Sequence, residues 1–165
     1  MASASVKVLA QPAVEVVTGT YRVATTTSKV QTEKREELYN LTQMVRDFVK
    51  SSGITAGAVI VSSMHTTCAL VINEWQDALV HDVKTYIQSL TEADTYYRHN
   101  DPKLSDCDRH NADSHLRSLI LGMTLTFQIA LGEIVLGEWQ SIIMAELDGP
   151  RERTVKMQAM GVAHS

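Results

Sequence analysis

Apolar residues in the first half of the chain form runs whose length and composition are typical of strands. The segments 58–63 and 69–74 are short, apolar and rich in β-branched residues, which indicates two buried strands. The Val- and Thr-rich segment 19–27 also favours a strand, because β-branched side chains pack well on a pleated sheet. The polar step 64–67 separates the two buried strands and is expected to lie where the backbone leaves the sheet.

The last third of the chain alternates apolar runs with turn residues. Four strands are therefore expected, over residues 123–130, 133–137, 139–147 and 153–160. Leu131-Gly132 separates the first two and predicts a tight hairpin turn. Asp148-Gly149-Pro150 separates the last two and is also typical of a turn.

Three segments carry apolar residues at helical spacing instead. The first helix is expected to be capped by Thr32, with acidic residues in its first turn, and to end at Ser52-Gly53. The second opens near 73–77, and the third, a short one, begins at Asn111 or Asp113. The apolar positions that define the three helices are Leu38, Leu41, Val45, Phe48 and Val49, then Leu79, Val83, Ile87 and Leu90, then Leu116, Leu119 and Ile120.

These elements predict an α+β fold in a single domain that covers residues 1–165. It is expected to contain one mainly antiparallel β-sheet with two long helices and one short helix. Residues 1–13 mix small and polar side chains, so they are expected to be loose or to form a short edge strand.

Composition and charge are those of an ordinary globular protein. Of the 165 residues, 44% are hydrophobic and 21% are charged. The net charge of −4 argues against a nucleic-acid-binding surface. No apolar run approaches the roughly 18 residues of a transmembrane helix, and residues 1–11 make a poor signal peptide. We therefore expect a cytoplasmic protein without membrane contact, and Cys68 and Cys107 provide no disulfide framework.

Two polar segments far apart in sequence carry the candidate chemistry. His65-Thr66-Thr67 places an imidazole and two hydroxyls on a loop held by two strands. Residues 108–115 pack two imidazoles, two carboxylates and an amide into a helix start. This set suits a metal ion such as zinc, proton transfer near neutral pH, or a solvated capping loop, and its spacing does not choose among them. The helix start beside Arg109 can also hold a phosphate.

Several single residues have both a structural and a functional interpretation. Cys68 is expected to be a small buried hydrophobe, because its offset of three from His65 puts the two side chains on opposite faces of a strand. Trp139 suits either the core or an aromatic wall of a site, where Gln140 offers a donor and an acceptor. The turn that contains Arg151 is either solvated surface or an anion contact.

Five short motifs occur in an order that resembles the YjbQ family. The motifs cover residues 65–74, 97–101, 111–115, 136–140 and 146–151. The resemblance extends roughly from residue 19 to 161 and implies a compact α+β domain that forms a homotrimer, with a polar pocket near the subunit contacts. It also implies a weak secondary thiamine-phosphate synthase activity. That reaction joins hydroxymethylpyrimidine diphosphate to thiazole phosphate and releases pyrophosphate.

The resemblance also implies roles for individual residues, carried over by position. The catalytic candidates are His65, Glu74 and His115. The candidates for binding a substrate or anion are Thr66, Thr67, Asn111, Trp139, Gln140 and Arg151. His65 and His115 are also the candidate ligands of a divalent metal, either Mg²⁺ or Zn²⁺.

Two functions fit these residues. The first is the thiamine-phosphate synthase reaction, and the alternative is a non-catalytic trimer that binds a small phosphorylated or anionic ligand or a metal. The chain departs from the family pattern at Asp113, where many relatives have His, and at Trp75, where many have Asn. An Asp at this position would favour harder metals and would be a poorer proton carrier near pH 7.

Overall fold

The strands divide between two antiparallel sheets. The computed structural model describes residues 13–92 and 95–163. The strands are β1 (Thr20–Gln31), β2 (Glu37–Asn40), β3 (Ala56–Ser63), β4 (Cys68–Asn73), β5 (Thr124–Ala130), β6 (Glu133–Ile134), β7 (Ser141–Glu146) and β8 (Glu152–Ala163). A five-stranded sheet has the order β1-β8-β3-β5-β6, and a three-stranded sheet has the order β2-β7-β4. The predicted α+β class is confirmed, although the strands form two sheets and not one.

Three α-helices of similar length and one short 3₁₀ helix, Arg98–Asn100, complete the described part of the fold. The α-helices are α1 (Thr42–Ser52), α2 (Asp77–Ser89) and α3 (Ala112–Leu121). The prediction that the first helix is capped by Thr32 is wrong, because Glu37–Asn40 form a strand that pairs with β7. The Thr32 hydroxyl instead donates to Oε2 of Glu146 at 2.9 Å. Gly53 ends α1 in the left-handed conformation, with a φ of 67°, as the sequence predicts.

One apolar core joins α1 to both sheets. Its fully buried members include Val45 and Val49 of α1, Val59 and Val61 of β3, Ile142 and Met144 of β7, and Val155 and Met157 of β8. Every second residue of β8 is buried from Arg153 to Ala163, as expected for a strand with one face on the core. The apolar alternation predicted for this strand is therefore confirmed.

Two connections cross between the sheets at the same place. Strands β3 and β4, which surround the polar step 64–67, belong to different sheets. Ser63 pairs with Val155, and Cys68 pairs with Glu146. The 64–67 connection therefore lies beside the connection that joins β7 to β8, and their side chains can form one site.

Helix α3 packs its polar side inward. Ser114 Oγ donates to the carbonyl oxygen of Leu147 at 2.5 Å, and Ser118 Oγ donates to that of Cys68 at 3.2 Å. The apolar residues of this helix point outward, with exposed fractions of 39% for Leu116, 75% for Leu119 and 62% for Ile120. These hydrogen bonds fix the helix against the connection between β7 and β8 and against the first residue of β4, and they leave an apolar face exposed.

The turn at Leu131-Gly132 and the environment of Cys68 agree with the predictions from sequence. Leu131 and Gly132 adopt φ values of 51° and 78°, which confirms the hairpin turn. Cys68 is fully buried, and burial raises the pKa of its thiol to about 11, so it is a core residue as expected. None of the helices among the described residues has the length and apolar character needed to cross a membrane. The expectation for residues 1–13 falls, apart from Ala13, outside the described residues.

Candidate functional site

A polar hollow of about 350 Å³ lies where the two sheet connections meet the start of α3. It is lined by Met64, His65, Thr66, Thr67, Asn111, His115, Asp148, Arg151 and Arg153. The hollow therefore brings together residues that the sequence places in three separate segments. Because polar groups predominate in its lining, it suits a charged or strongly polar ligand.

A buried carboxylate organises one wall of the hollow. The side chain of Asp148 is fully buried and accepts hydrogen bonds from Arg109 Nε at 3.0 Å, Asn111 Nδ2 at 2.7 Å and Arg151 Nη2 at 3.0 Å. Burial alone would raise the pKa of the Asp148 carboxyl, but the bonds from Arg109 and Asn111 outweigh it and lower this pKa. Asp148 is thus a carboxylate that holds two arginines and an amide in place.

Arg151 presents a cationic group to the hollow. Its Nε donates to the carbonyl oxygen of Asp148 at 3.1 Å, and its Nη2 donates to the carboxylate of the same residue. These bonds fix the guanidinium plane and use two of its three nitrogens. Nη1 has no acceptor among the described residues, so it can donate to a bound anion.

A second buried ion pair supports the floor of the hollow. Arg153 and Glu146 are both buried, and Arg153 Nε donates to Glu146 Oε2 at 2.6 Å. Nη2 of the same arginine donates to the carbonyl oxygen of Thr67 at 3.2 Å and to its Oγ1 at 3.1 Å. The ion pair therefore fixes the position of Thr67. The Thr67 hydroxyl accepts a hydrogen bond from Arg153, so its own proton remains available to another acceptor.

His65 is held in its neutral form. Its Nε2 accepts the backbone N–H of Thr154 at 2.8 Å, which requires that this nitrogen carry no proton. Burial, followed by the positive charge of Arg153, lowers the pKa of His65. The neutral ring then carries its proton on Nδ1, where it is a hydrogen-bond donor.

His115 lies on the first turn of α3 and contacts a second imidazole. The rings of His115 and His99 meet edge to face, with centroids 5.0 Å apart and an interplanar angle of 86°. Burial, followed by repulsion from His99, lowers the pKa of His115. His115 is therefore also biased toward the neutral form near pH 7, while remaining partly accessible from the hollow.

Comparisons with known proteins identify the family. Residues 26–162 match the family model described as UPF0047 protein YjbQ-like. The chain belongs to the YjbQ-like UPF0047 family. It is 39% identical to a UPF0047 protein of Methanothermobacter thermautotrophicus over 80% of this chain and 88% of that one. It is 36% identical to the UPF0047 protein YugU of Bacillus subtilis, over 82% of this chain and 98% of that one.

Solved structures of related proteins share the fold. A YbjQ-like protein of unknown function from Sulfolobus solfataricus P2 superposes with a TM-score of 0.79 at 34% identity, over 86% of this chain and 99% of that one. A hypothetical protein from Aeropyrum pernix K1 superposes with a TM-score of 0.76 at 33% identity, over 84% of this chain and 98% of that one. Neither of these names assigns an activity to its protein.

Three of the candidate site residues do not line the hollow. They are Glu74, Trp139 and Gln140. Strands β4 and β7 adjoin the hollow at the Cys68–Glu146 pair. Their opposite end is the Asn73–Ser141 pair, and Glu74 follows Asn73 there while Trp139 and Gln140 precede Ser141. Five residues of strand separate the two ends by about 17 Å. The Trp139 side chain is 66% exposed, and Gln140 Oε1 accepts the N–H of Gly137 at 2.7 Å.

Asn111 and Asp113 also differ from the helix caps that the sequence predicts. Asn111 is the N-cap residue of α3, but its side chain makes no cap hydrogen bond and holds Asp148 instead. Asp113 lies 3.6 Å from Arg117 and 3.8 Å from Arg35, so it takes part in ion pairs outside the hollow. The departure from His at position 113 therefore affects a region beside the site and not the lining of the hollow.

The side chains present do not fit a resident metal ion. Within residues 13–92 and 95–163, no group of three or more His, Cys, Asp or Glu side chains is placed to hold one. The hydrogen bond from Thr154 occupies Nε2 of His65, and arginines engage the carboxylates of Asp148 and Glu146. His65 and His115 therefore remain in the hollow as hydrogen-bonding groups.

The charges that build the site are not evident from the local sequence. Arg109 resembles a neighbour of the helix start, and Asp148 resembles a turn residue. A signal was present at Glu146, a carboxylate at the end of the apolar run 139–147. A charge in such a run must have a buried partner, which here is Arg153.

Proposed function

We propose that the hollow binds the phosphate or diphosphate group of a small phosphorylated molecule. The observation that carries this proposal is the charge balance of the ion pairs around two buried carboxylates. Three arginines, Arg109, Arg151 and Arg153, pair with two carboxylates, Asp148 and Glu146, which leaves one net positive charge. This excess occurs in a chain whose formal net charge is −4, so it favours an anion at this particular place.

Donors from both sheet connections and from α3 would contact the anion. Arg151 offers Nη1, and the neutral ring of His65 offers Nδ1–H. The hydroxyls of Thr66 and Thr67 and the imidazole of His115 line the same hollow. Several donors held by a rigid network suit the oxygens of a phosphate, because little ordering is needed when the ligand binds.

The reaction we propose for this site is that of thiamine-phosphate synthase. The methylene carbon of hydroxymethylpyrimidine diphosphate bonds to the nitrogen of thiazole phosphate. The C–O bond to the diphosphate breaks, and its electrons leave with pyrophosphate. Arg151, His65 and His115 would stabilise the charge that develops on this leaving group. No residue is required to form a covalent intermediate.

A non-catalytic role in binding a small anion is the second candidate. The observation that favours it is the position of Glu74 and Trp139, which are remote from the hollow in the same chain. Without them, the hollow keeps its hydrogen-bond donors but lacks the catalytic candidate Glu74 and the candidate aromatic wall formed by Trp139. Measured turnover distinguishes the two functions, because a binding protein has none.

We also propose a homotrimer in the cytoplasm. The exposed apolar face of α3, with Leu119 and Ile120, would be covered by a second copy of the chain. A head-to-tail ring is also the arrangement in which Glu74 and Trp139 of one copy can approach the hollow of the next. The free thiols of Cys68 and Cys107 are consistent with a reducing compartment. Light scattering that gives a monomer mass at micromolar concentration would contradict the trimer.

The proposed reaction is tested by measuring pyrophosphate release from hydroxymethylpyrimidine diphosphate and thiazole phosphate. We expect turnover by the wild-type protein and a loss of about 100-fold in His115→Ala. His81→Ala is the matched control, because His81 is an exposed histidine on α2. Binding of pyrophosphate without turnover would favour the non-catalytic role. Equal turnover in wild type and His115→Ala would remove His115 from the proposed mechanism.

A further inference from the structure

A second recess lies directly beside the polar hollow. It has a volume of about 300 Å³ and is lined by Tyr97, Arg98, His99, Ala112, His115 and Leu116. Rings and aliphatic side chains predominate in this lining, in contrast to the charged and hydroxyl groups of the hollow. The volume is at the lower end of the range of small-molecule sites. The two cavities therefore differ in chemistry but adjoin in space.

His115 is the wall shared by the two cavities, because it lines both of them. Its ring is held edge to face against His99, which lines the recess. Tyr97 is anchored nearby, since its hydroxyl donates to the carbonyl oxygen of Glu92 at 3.0 Å. A ligand that passes His115 would have one end among cationic donors and the other among flat apolar surfaces.

We propose that the recess binds the planar ring of an aromatic or heteroaromatic phosphate ester whose phosphate occupies the hollow. This inference rests on the proposed function of the hollow, and it names the class of molecule that the site takes. Flat side chains such as Tyr97 and His99 favour a planar ring over a branched aliphatic group. Arg98 adds a guanidinium that can stack on such a ring.

The inference assigns the ring to different residues from those that the sequence suggests. Trp139 is the sequence-based candidate for stacking on a ring, but it is 66% exposed and lies beyond the far end of β7. Tyr97, His99 and Leu116 adjoin the anion contacts of the same chain. They can therefore bind the organic part of a phosphate ester without any contribution from another subunit.

The test compares two monoesters of equal charge, benzyl phosphate and methyl phosphate, by calorimetric titration. The wild-type protein should bind benzyl phosphate about tenfold more tightly, because only the benzyl group reaches apolar surface. Leu116→Gln should reduce this advantage by about threefold or more and leave methyl phosphate affinity unchanged, since it removes apolar surface from the recess alone. Unchanged methyl phosphate binding also shows that the variant is folded.

Leu104→Gln is the matched control, because Leu104 is an exposed leucine that does not line the recess. It should retain the wild-type ratio of the two affinities. Equal affinity of the wild-type protein for both esters would overturn the ring site and leave the anion site intact. Failure to bind either ester would overturn both proposals. Equal losses in Leu116→Gln and Leu104→Gln would also overturn the ring site, because Leu104 is not part of it.

Discussion

Nε2 of His65 accepts the backbone N–H of Thr154 at 2.8 Å, and this bond joins the 64–67 connection to the beginning of β8. A histidine can accept at this nitrogen only while it is unprotonated there. The neutral imidazole is therefore a structural part of the hollow as well as one of its hydrogen-bond donors. Protonation of His65 would break a contact that holds the site together.

The stability of the protein should consequently depend on pH through His65. The pKa of His65 is lowered in the folded protein, whereas in the unfolded chain it is near 6.5. Below about pH 6.5 the unfolded chain takes up a proton before the folded protein does, so the free energy of unfolding falls as the pH falls toward the folded pKa. The contribution of His65 is fully present above that range.

Urea denaturation of the wild-type protein and His65→Gln at a series of pH values checks this expectation. The Gln side chain carries a carbonyl oxygen that can accept from Thr154 but does not titrate. The variant should therefore show a smaller loss of stability on acidification. If wild type and His65→Gln lose stability equally, the neutral His65 ring is not linked to folding.

Removing one partner of the buried Arg153–Glu146 pair should be strongly destabilising. Arg153→Met leaves the fully buried Glu146 carboxylate without its guanidinium, which is expected to cost about 3–5 kcal/mol. Lys29→Met is the control, because the Lys29–Glu152 pair is more than half exposed and such pairs contribute about 0–1 kcal/mol. Chemical denaturation measures the free energy of unfolding of both variants. Similar losses of stability would mean that water or another side chain compensates the Glu146 carboxylate.

Sulfate should bind more tightly as the pH falls through the lowered pKa of His115, because protonated His115 adds a positive charge to the hollow. Burial and the neighbouring His99 oppose this protonation, while Asp148 and Asp113 favour it. Sulfate is a suitable probe since its own charge does not change in this range. The increase in sulfate affinity at low pH should be absent in His115→Asn and present in His81→Asn. A pH-independent affinity in the wild-type protein would show that His115 does not contact the anion.

Removal of metal ions should leave anion binding unchanged. The carboxylates beside the hollow are engaged by arginines, and Nε2 of His65 is occupied. We expect sulfate to bind equally well after treatment with EDTA and after addition of Zn²⁺, and sulfate is used because pyrophosphate itself chelates Zn²⁺. A tighter complex in the presence of Zn²⁺ would indicate that His65 or His115 rearranges to bind the metal.

The convergence of His65 and His115 could be expected from sequence, but the way the hollow is built could not. Both histidines belong to polar segments at the ends of regular elements, and both line the hollow. The partners that hold it are distant in the chain, as in the bond between Asn111 and Asp148 or that between Arg153 and Thr67. Local composition cannot reveal such pairs, because each member alone resembles an ordinary polar residue at the surface.

The start of the first helix shows a similar limit. Leu38 fits the helical spacing of the residues that follow, and Glu36 and Glu37 fit the first turn of a helix. Pairing with β7 overrides this local preference, and Leu38 lies opposite Ala145 in the three-stranded sheet. Strand pairing across more than a hundred residues is a tertiary effect that helical spacing does not contain.

Calorimetric titration of pyrophosphate tests whether Arg151 contacts an anion bound in the hollow. The wild-type protein should bind pyrophosphate, and Arg151→Met should weaken binding by about tenfold or more, because a charge-assisted hydrogen bond is lost. Arg109→Met removes the same charge and another contact of Asp148, but Arg109 does not line the hollow, so the loss of pyrophosphate affinity in this variant should be smaller. Absence of binding to the wild-type protein, or equal losses of affinity in the two variants, would contradict an anion site at Arg151.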